Sequence, residues 1–167
     1  MFQDGCPNAE SGKSSNGSRR VMPFAYPLNI MNEVTSSLQA FESLKSSANP
    51  FSEELWVIAL GPQLQILGQE MIFRGTADQC FSHPRDVFRF LIILNATSFI
   101  LAHNHPSQEV LPSEQDLIMT KKMHACAKIF QIPLIDHVIF TSEKYFSMAD
   151  NGYFTTWNKK FRPEKYY

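Results

Sequence analysis

The sequence predicts an α/β fold, a single mixed sheet flanked by helices on both faces. Three observations lead there. Residues 54–60 (ELWVIAL) read as a buried strand, Gly61-Pro62 turns the chain, and residues 64–74 read as an antiparallel partner closed by Gly75-Thr76. Beyond that hairpin, helical and strand patterns alternate, which is the mark of strands layered with helices. Hydrophobic residues make up 44% of the 167, with 14 Phe. A chain of this length buries roughly two-thirds of its unfolded surface, so a core is available without disulfide or structural metal.

The elements follow in order. Residues 1–22, rich in Ser, Gly, Asn and Pro over the first twenty, are expected to form a disordered tail. Apolar residues at Leu28, Met31, Val34, Leu38, Phe41 and Leu44 fall near a helical spacing. They predict one amphipathic helix over residues 28–47, ended by Asn49-Pro50. His83-Pro84-Arg85-Asp86 places Pro at a first helical position, and the helix runs to Leu94 with Asn95 as its cap. Residues 98–102 (SFILA) form an apolar strand, and a loop from 104 to 112 carries two prolines. Ser113 opens a helix to Phe130, residues 132–140 form a strand and residues 145–148 a short one. This organisation divides the chain into a tail (1–22), an N-terminal helix (23–50), a main domain (51–152) and a basic, aromatic C-terminal tail (153–167). That last segment, with Trp157, Lys159, Lys160, Arg162, Lys165, Tyr166 and Tyr167, has a composition suited to nucleic acid or an acidic partner. A flexible terminus is the plainer expectation for it.

Composition excludes several classes. Fifteen Lys and Arg against sixteen Asp and Glu give a net charge of −1, so no overall cationic field recruits nucleic acid. Three cysteines, Cys6, Cys80 and Cys126, lie far apart and form no zinc-ribbon spacing. Free thiols in a reducing compartment are the simple reading. The N-terminus has no apolar core of a signal peptide, and residues 90–102 are too short and too polar to span a bilayer. A soluble, cytoplasmic protein is expected. Charged residues are only 19%, which leaves room for a covered surface such as a homodimer contact.

The chemistry concentrates in His103-Asn104-His105-Pro106, followed by Ser113 and Asp116. His103 and His105 stand two apart at a strand end, so both imidazoles point to one face. Asp116 follows after a loop, in the first turn of the next helix. Two His and one Asp suit a catalytic zinc with a fourth position open to water. Glu70, on the hairpin's second strand, is the candidate to shuttle the proton. The same residues have a plainer use, because Ser113 and Asp116 also satisfy a helix capping box. The two uses are compatible.

These residues resemble the RadC-type branch of the JAMM (MPN+) metalloprotease superfamily. The family pattern is an upstream Glu, then His-x-His-Pro, seven residues, Ser, two residues and Asp. It is met by Glu70, His103, His105, Pro106, Ser113 and Asp116. Further matches are Phe73-Arg74-Gly75-Thr76, His83-Pro84-Arg85-Asp86-Val87-Phe88, Asn95-Ala96 and Leu134-Ile135-Asp136-His137. The resemblance implies a cytidine-deaminase-like sheet sandwiched by helices. It implies zinc on His103, His105 and Asp116, with Glu70 as general base and then acid. Ser113 would polarise the scissile carbonyl or stabilise its oxyanion. Amide or isopeptide bonds are the implied substrates, in peptides or ubiquitin-like conjugates. Two features depart from the pattern: Gln108 stands where relatives carry Gly, and residues 1–50 show no helix-hairpin-helix signature of DNA binding.

The alternatives are a non-catalytic MPN-type binding module and a DNA-repair-associated protein acting near nucleic acid. Scaffold relatives usually lack ligand residues, and here all five catalytic and ligand positions of the motif are filled. His-Asn-His also suggests an HNH nuclease, but that motif spreads its residues over a ββα unit. A zinc deaminase would need H-x-E with P-C-x-x-C, which is missing. His83 is expected at a helix start and His124 on a solvated helix face. Asp136 and His137 are expected to make structural hydrogen bonds, with a place behind the metal ligands as the other option.

Overall fold

The computed structural model describes residues 33–75 and 83–160, with side chains as far as Trp157. Its elements are α1 (Ser37–Leu44), β1 (Glu53–Leu60), β2 (Ile66–Gly75), α2 (Pro84–Ile93) and β3 (Ser98–Asn104). They continue with α3 (Glu114–Phe130), β4 (Leu134–Phe140), β5 (Tyr145–Ser147) and α4 (Tyr153–Lys160). The five strands form one sheet in the order β2-β1-β3-β4-β5. β3 and β4 run parallel through the α3 crossover, and every other pair is antiparallel. The sheet is mixed and carries helices on both faces, as the α/β pattern requires.

Alternation along the strands divides the core into two layers. Leu55, Val57 and Ala59 of β1, with Phe99 and Leu101 of β3, face α2, α3 and α4. Val87, Phe88 and Leu91 of α2, Met123 and Ala127 of α3, and Phe154 of α4 close that layer. Ile58, Leu60, Ile100, Ala102, Val138 and Phe140 face the other way and meet Ala40, Phe41 and Leu44 of α1. Each large side chain so buried contributes about 1.5–3 kcal/mol. Aromatic geometry adds order: Phe88 meets Phe99 edge-on at 5.6 Å and stacks on Phe130 at 4.5 Å.

Sequence expectations change at both ends of the described residues. The N-terminal helix, expected over residues 28–47, is the eight-residue α1. Ser36 caps it by accepting from Gln39 N–H at 3.3 Å. Just before the cap, Val34 N–H donates to Leu64 O at 2.9 Å and Glu33 bridges Gln65, which holds that stretch extended. Residues 28–32 lie outside the described residues. α1 also supplies one side of the inner layer, so it belongs to the domain rather than preceding it. At the other end, Tyr153–Lys160 is a helix, not tail. Trp157 packs on Phe154 at 5.3 Å and His124 at 6.1 Å, which also places His124 under α4 and not on a solvated face. The remaining tail residues, 161–167, and the leader, 1–22, lie outside the described residues, as do Cys6 and Cys80. Among the described residues, no helix is long and apolar enough to cross a membrane.

Candidate metal centre

β1 and β3 pair antiparallel with Leu55 opposite His103 and Glu54 opposite Asn104. Alternation then sends His103 and Glu53 to the α3 side and Asn104 and Glu54 to the α1 side. The loop after β3 returns to α3, whose N-cap is Ser113. This brings Glu53, His103, His105 and Asp116 together, each offering a ligand atom within 4.8 Å of the others. His103 is fully buried between two carboxylates. Its Nε2 meets Glu53 Oε1, and its Nδ1 lies 3.0 Å from Asp116 Oδ1. His105 Nε2 lies 3.5 Å from Asp116 Oδ2, and the two imidazoles stand edge-on with centroids 4.8 Å apart.

The neighbours orient these groups. His105 Nδ1 lies 2.7 Å from Glu109 O and donates to it, which leaves Nε2 as the nitrogen facing Asp116. Asp116 Oδ2 accepts from Ser113 N–H at 2.8 Å and from Ser113 Oγ–H at 2.6 Å, while Asp116 N–H donates to Ser113 Oγ at 3.2 Å. The capping box is therefore formed, and the helix start aims the carboxylate. Behind α3's first turn, Thr120 Oγ–H donates to Asp116 O at 2.5 Å and accepts from His137 Nδ1–H at 2.6 Å. The His137 ring lies nearly parallel to His103, 6.2 Å away.

The electrostatics follow from burial and proximity. Burial opposes charge on His103, but the Asp116 and Glu53 carboxylates on either side of the ring outweigh it and raise its pKa to about 9. Burial likewise opposes charge on Asp116, yet His103, His105 and Ser113 hold its carboxyl far below the usual range. His137 is kept neutral, its pKa lowered to about 3 by burial and then by the charge on His103.

The donor set fits a divalent cation. His103 Nδ1 is buried with no hydrogen-bond partner although a carboxylate oxygen is 3.0 Å away. His105 Nε2 faces the other oxygen of the same carboxylate at 3.5 Å. A ring nitrogen this close to a carboxylate needs a proton or a cation between them. Two imidazoles and two carboxylates are the nitrogen and oxygen donors that zinc takes.

His103, His105 and Asp116 are thus brought together, and Ser113 stands beside them with its hydroxyl proton on Asp116. Glu70 is not among the residues gathered. It pairs with Val57, four residues along β1 from Glu53, which is about 13 Å of strand. Glu53 stands where Glu70 was expected. The signal available in the sequence was the acid pair Glu53-Glu54 at the start of a strand, one of which must face each way. Asp136 is structural: it accepts from Ser147 Oγ at 2.6 Å and Ala149 N at 2.8 Å, tying β4 to β5. Burial raises its pKa against those bonds. His83 caps α2, its Nδ1 accepting from Arg85 N at 3.1 Å. Gln108 has φ of 67°, the left-handed region that glycine enters freely, which explains why Gly suits this loop position.

Comparison with known proteins agrees with this geometry. Residues 31–153 match the RadC-like JAB domain family. A UPF0758 protein of Staphylococcus carnosus is 38% identical over 139 residues, 83% of this chain and 60% of that protein. UPF0758 proteins of Thermotoga maritima and Enterococcus faecalis are 34% and 35% identical, each over 74% of this chain. The chain spans between 54% and 60% of the length of these three relatives. A domain match covering most of the chain, with relatives of this similarity, makes the chain a member of the RadC-like JAB domain family.

Proposed function

We propose that this domain is a zinc-dependent hydrolase of amide or isopeptide bonds. The observation that carries the reading is the clustering of Glu53, His103, His105 and Asp116 near the ends of β1 and β3. In this reading His103, His105 and Asp116 hold the metal. A bound zinc ion would supply a Lewis acid that acidifies water and polarises a carbonyl.

The protein's own residues do the rest. Glu53 and His105 are the members whose side chains reach solvent, at 12% and 13% exposure, so water and substrate enter from their side. Glu53 Oε takes a proton from the attacking water and returns it to the leaving nitrogen. Asp116 stays ionised throughout, held by Ser113. Ser113 acts by positioning Asp116, since its one proton is already committed there. A cavity of about 230 Å³ opens beside His105, walled by Pro106, Gln108 and Phe140 with Lys45 nearby. Ala48 and Asn104 also line it, so it adjoins the site from the α1 face, with His105 the ligand it reaches.

The test uses zinc-loaded protein and a panel of fluorogenic probes, peptides and lysine ε-linked isopeptides. Glu53→Gln should lower kcat by about 10²–10⁴-fold. Glu70→Gln should leave it within about threefold, because a residue roughly four strand positions away cannot reach the reacting proton. The reverse order of effects would return the proton-transfer role to Glu70. Full activity in both variants would remove carboxylate catalysis from the account.

A further inference from the structure

The middle residue of the His-x-His motif points away from the metal centre, and its side chain is nearly saturated with hydrogen bonds. Asn104 is buried on the α1 face of the sheet. Its Oδ1 accepts from Glu54 N–H at 2.9 Å. Its Nδ2 donates to Asn49 O at 2.9 Å and to Ser52 O at 3.0 Å. One amide thus holds three backbone groups on the two sides of Glu53, at Ser52 and Glu54 and as far back as Asn49. Three of the four bonds such an amide offers are made.

A second set of bonds locks the same turn. The Glu54 carboxylate, fully buried, accepts from Arg74 Nε at 2.8 Å, Trp56 Nε1 at 2.9 Å and Asn49 N at 3.1 Å. Asn49 Oδ1 in turn accepts from Phe51 N at 2.8 Å. Residues 49–54 have therefore lost their freedom before Glu53 is considered. Because Glu53 alternates with Glu54, a backbone fixed through Glu54 and Asn104 on one face aims Glu53 on the other.

We propose that Asn104 is the positioning residue for Glu53, holding its carboxylate at the metal centre from the opposite face of the sheet. This rests on the reading of Glu53 as the proton carrier. The geometry explains why the residue between two metal ligands bears an amide. It needs an acceptor for one strand and two donors for the turn, and no hydroxyl or aliphatic side chain supplies both. Proton transfer is sensitive to displacements near 1 Å, so loss of the staple should show in kcat before it shows in binding.

The experiment compares Asn104→Ala and Asn104→Asp with the wild type, all zinc-loaded, on the isopeptide and peptide probes. The Asp variant keeps size and acceptor but loses both donors, and it serves if the Ala variant does not fold. Both should lose kcat by at least about 30-fold with KM within about threefold. Zinc affinity, from competition with a chelator, should stay within about threefold, because Asp116 keeps Ser113, His105 keeps Glu109 O and His103 stays fixed by the pairing of β3. Amide exchange should quicken by at least about tenfold over residues 51–55 and not over residues 100–102. Wild-type kcat in a folded variant overturns the proposal. So does zinc affinity falling in step with kcat, which would mean that Asn104 serves the ligands flanking it. Should the wild type cleave no probe, the hydrolase reading falls. The exchange pattern and zinc affinity then decide the role of Asn104 alone.

Discussion

His103 sits between Asp116 and Glu53, and this placement sets the pH response of the site. Its folded pKa of about 9 lies above the ordinary 6.5. In the metal-free protein, its pairing stabilises the fold fully below about pH 6.5 and loses that contribution as pH rises through about 9. Metal competes for the same imidazole, so zinc uptake must expel its proton. We predict that apparent zinc affinity climbs about tenfold per pH unit between about pH 7 and about pH 9, then levels. Chelator competition across that range measures it, and a flat profile would show that His103 is already neutral. Residue types at short spacing were legible at this scale. His103 and His105 share a strand face by alternation, and Asp116 is tied to Ser113 by local capping. Glu53 was not legible, because its place depends on the pairing of β1 with β3, fifty residues apart in sequence. Which of several strand acids joins the two His and Asp116 is a matter of register, and an irregularity between Leu55 and Trp56 shifts that register on the β2 side.

At the scale of elements, α1 shows how tertiary contact overrides periodicity. The helical spacing of apolar residues begins at Leu28, yet Ser36 starts the helix and Val34 is drawn into an extended pairing with Leu64. What remains is eight residues, too short to persist alone. Packing holds it: Phe41 stacks on Tyr145 at 5.3 Å and meets Phe140 edge-on at 6.0 Å. Phe41→Ala should therefore cost about 3–5 kcal/mol in denaturant unfolding. A cost below about 1 kcal/mol would make α1 an appendage and not a wall of the core. The strands and α3 were readable because their apolar runs and caps are local. The short α4 was not, since its helix depends on Phe154 and Trp157 finding His124 on α3.

Across the whole molecule, the sheet separates two tasks. The α2–α3–α4 face carries the candidate metal ligands, and the α1 face carries the polar staple that fixes the strand and turn behind them. Both faces meet at the ends of β1 and β3, where the cavity beside His105 opens. The fold class was legible from strand–helix alternation, because layering follows from the pattern of buried faces alone.

Elemental mass spectrometry of the purified, zinc-reconstituted protein reads out whether Glu53, His103, His105 and Asp116 hold a metal. The account predicts about one zinc per chain in the wild type and in Glu53→Gln, and loss of most of it in His103→Ala and Asp116→Ala. A wild type without zinc after reconstitution, or zinc retained at full occupancy in both ligand variants, would contradict it.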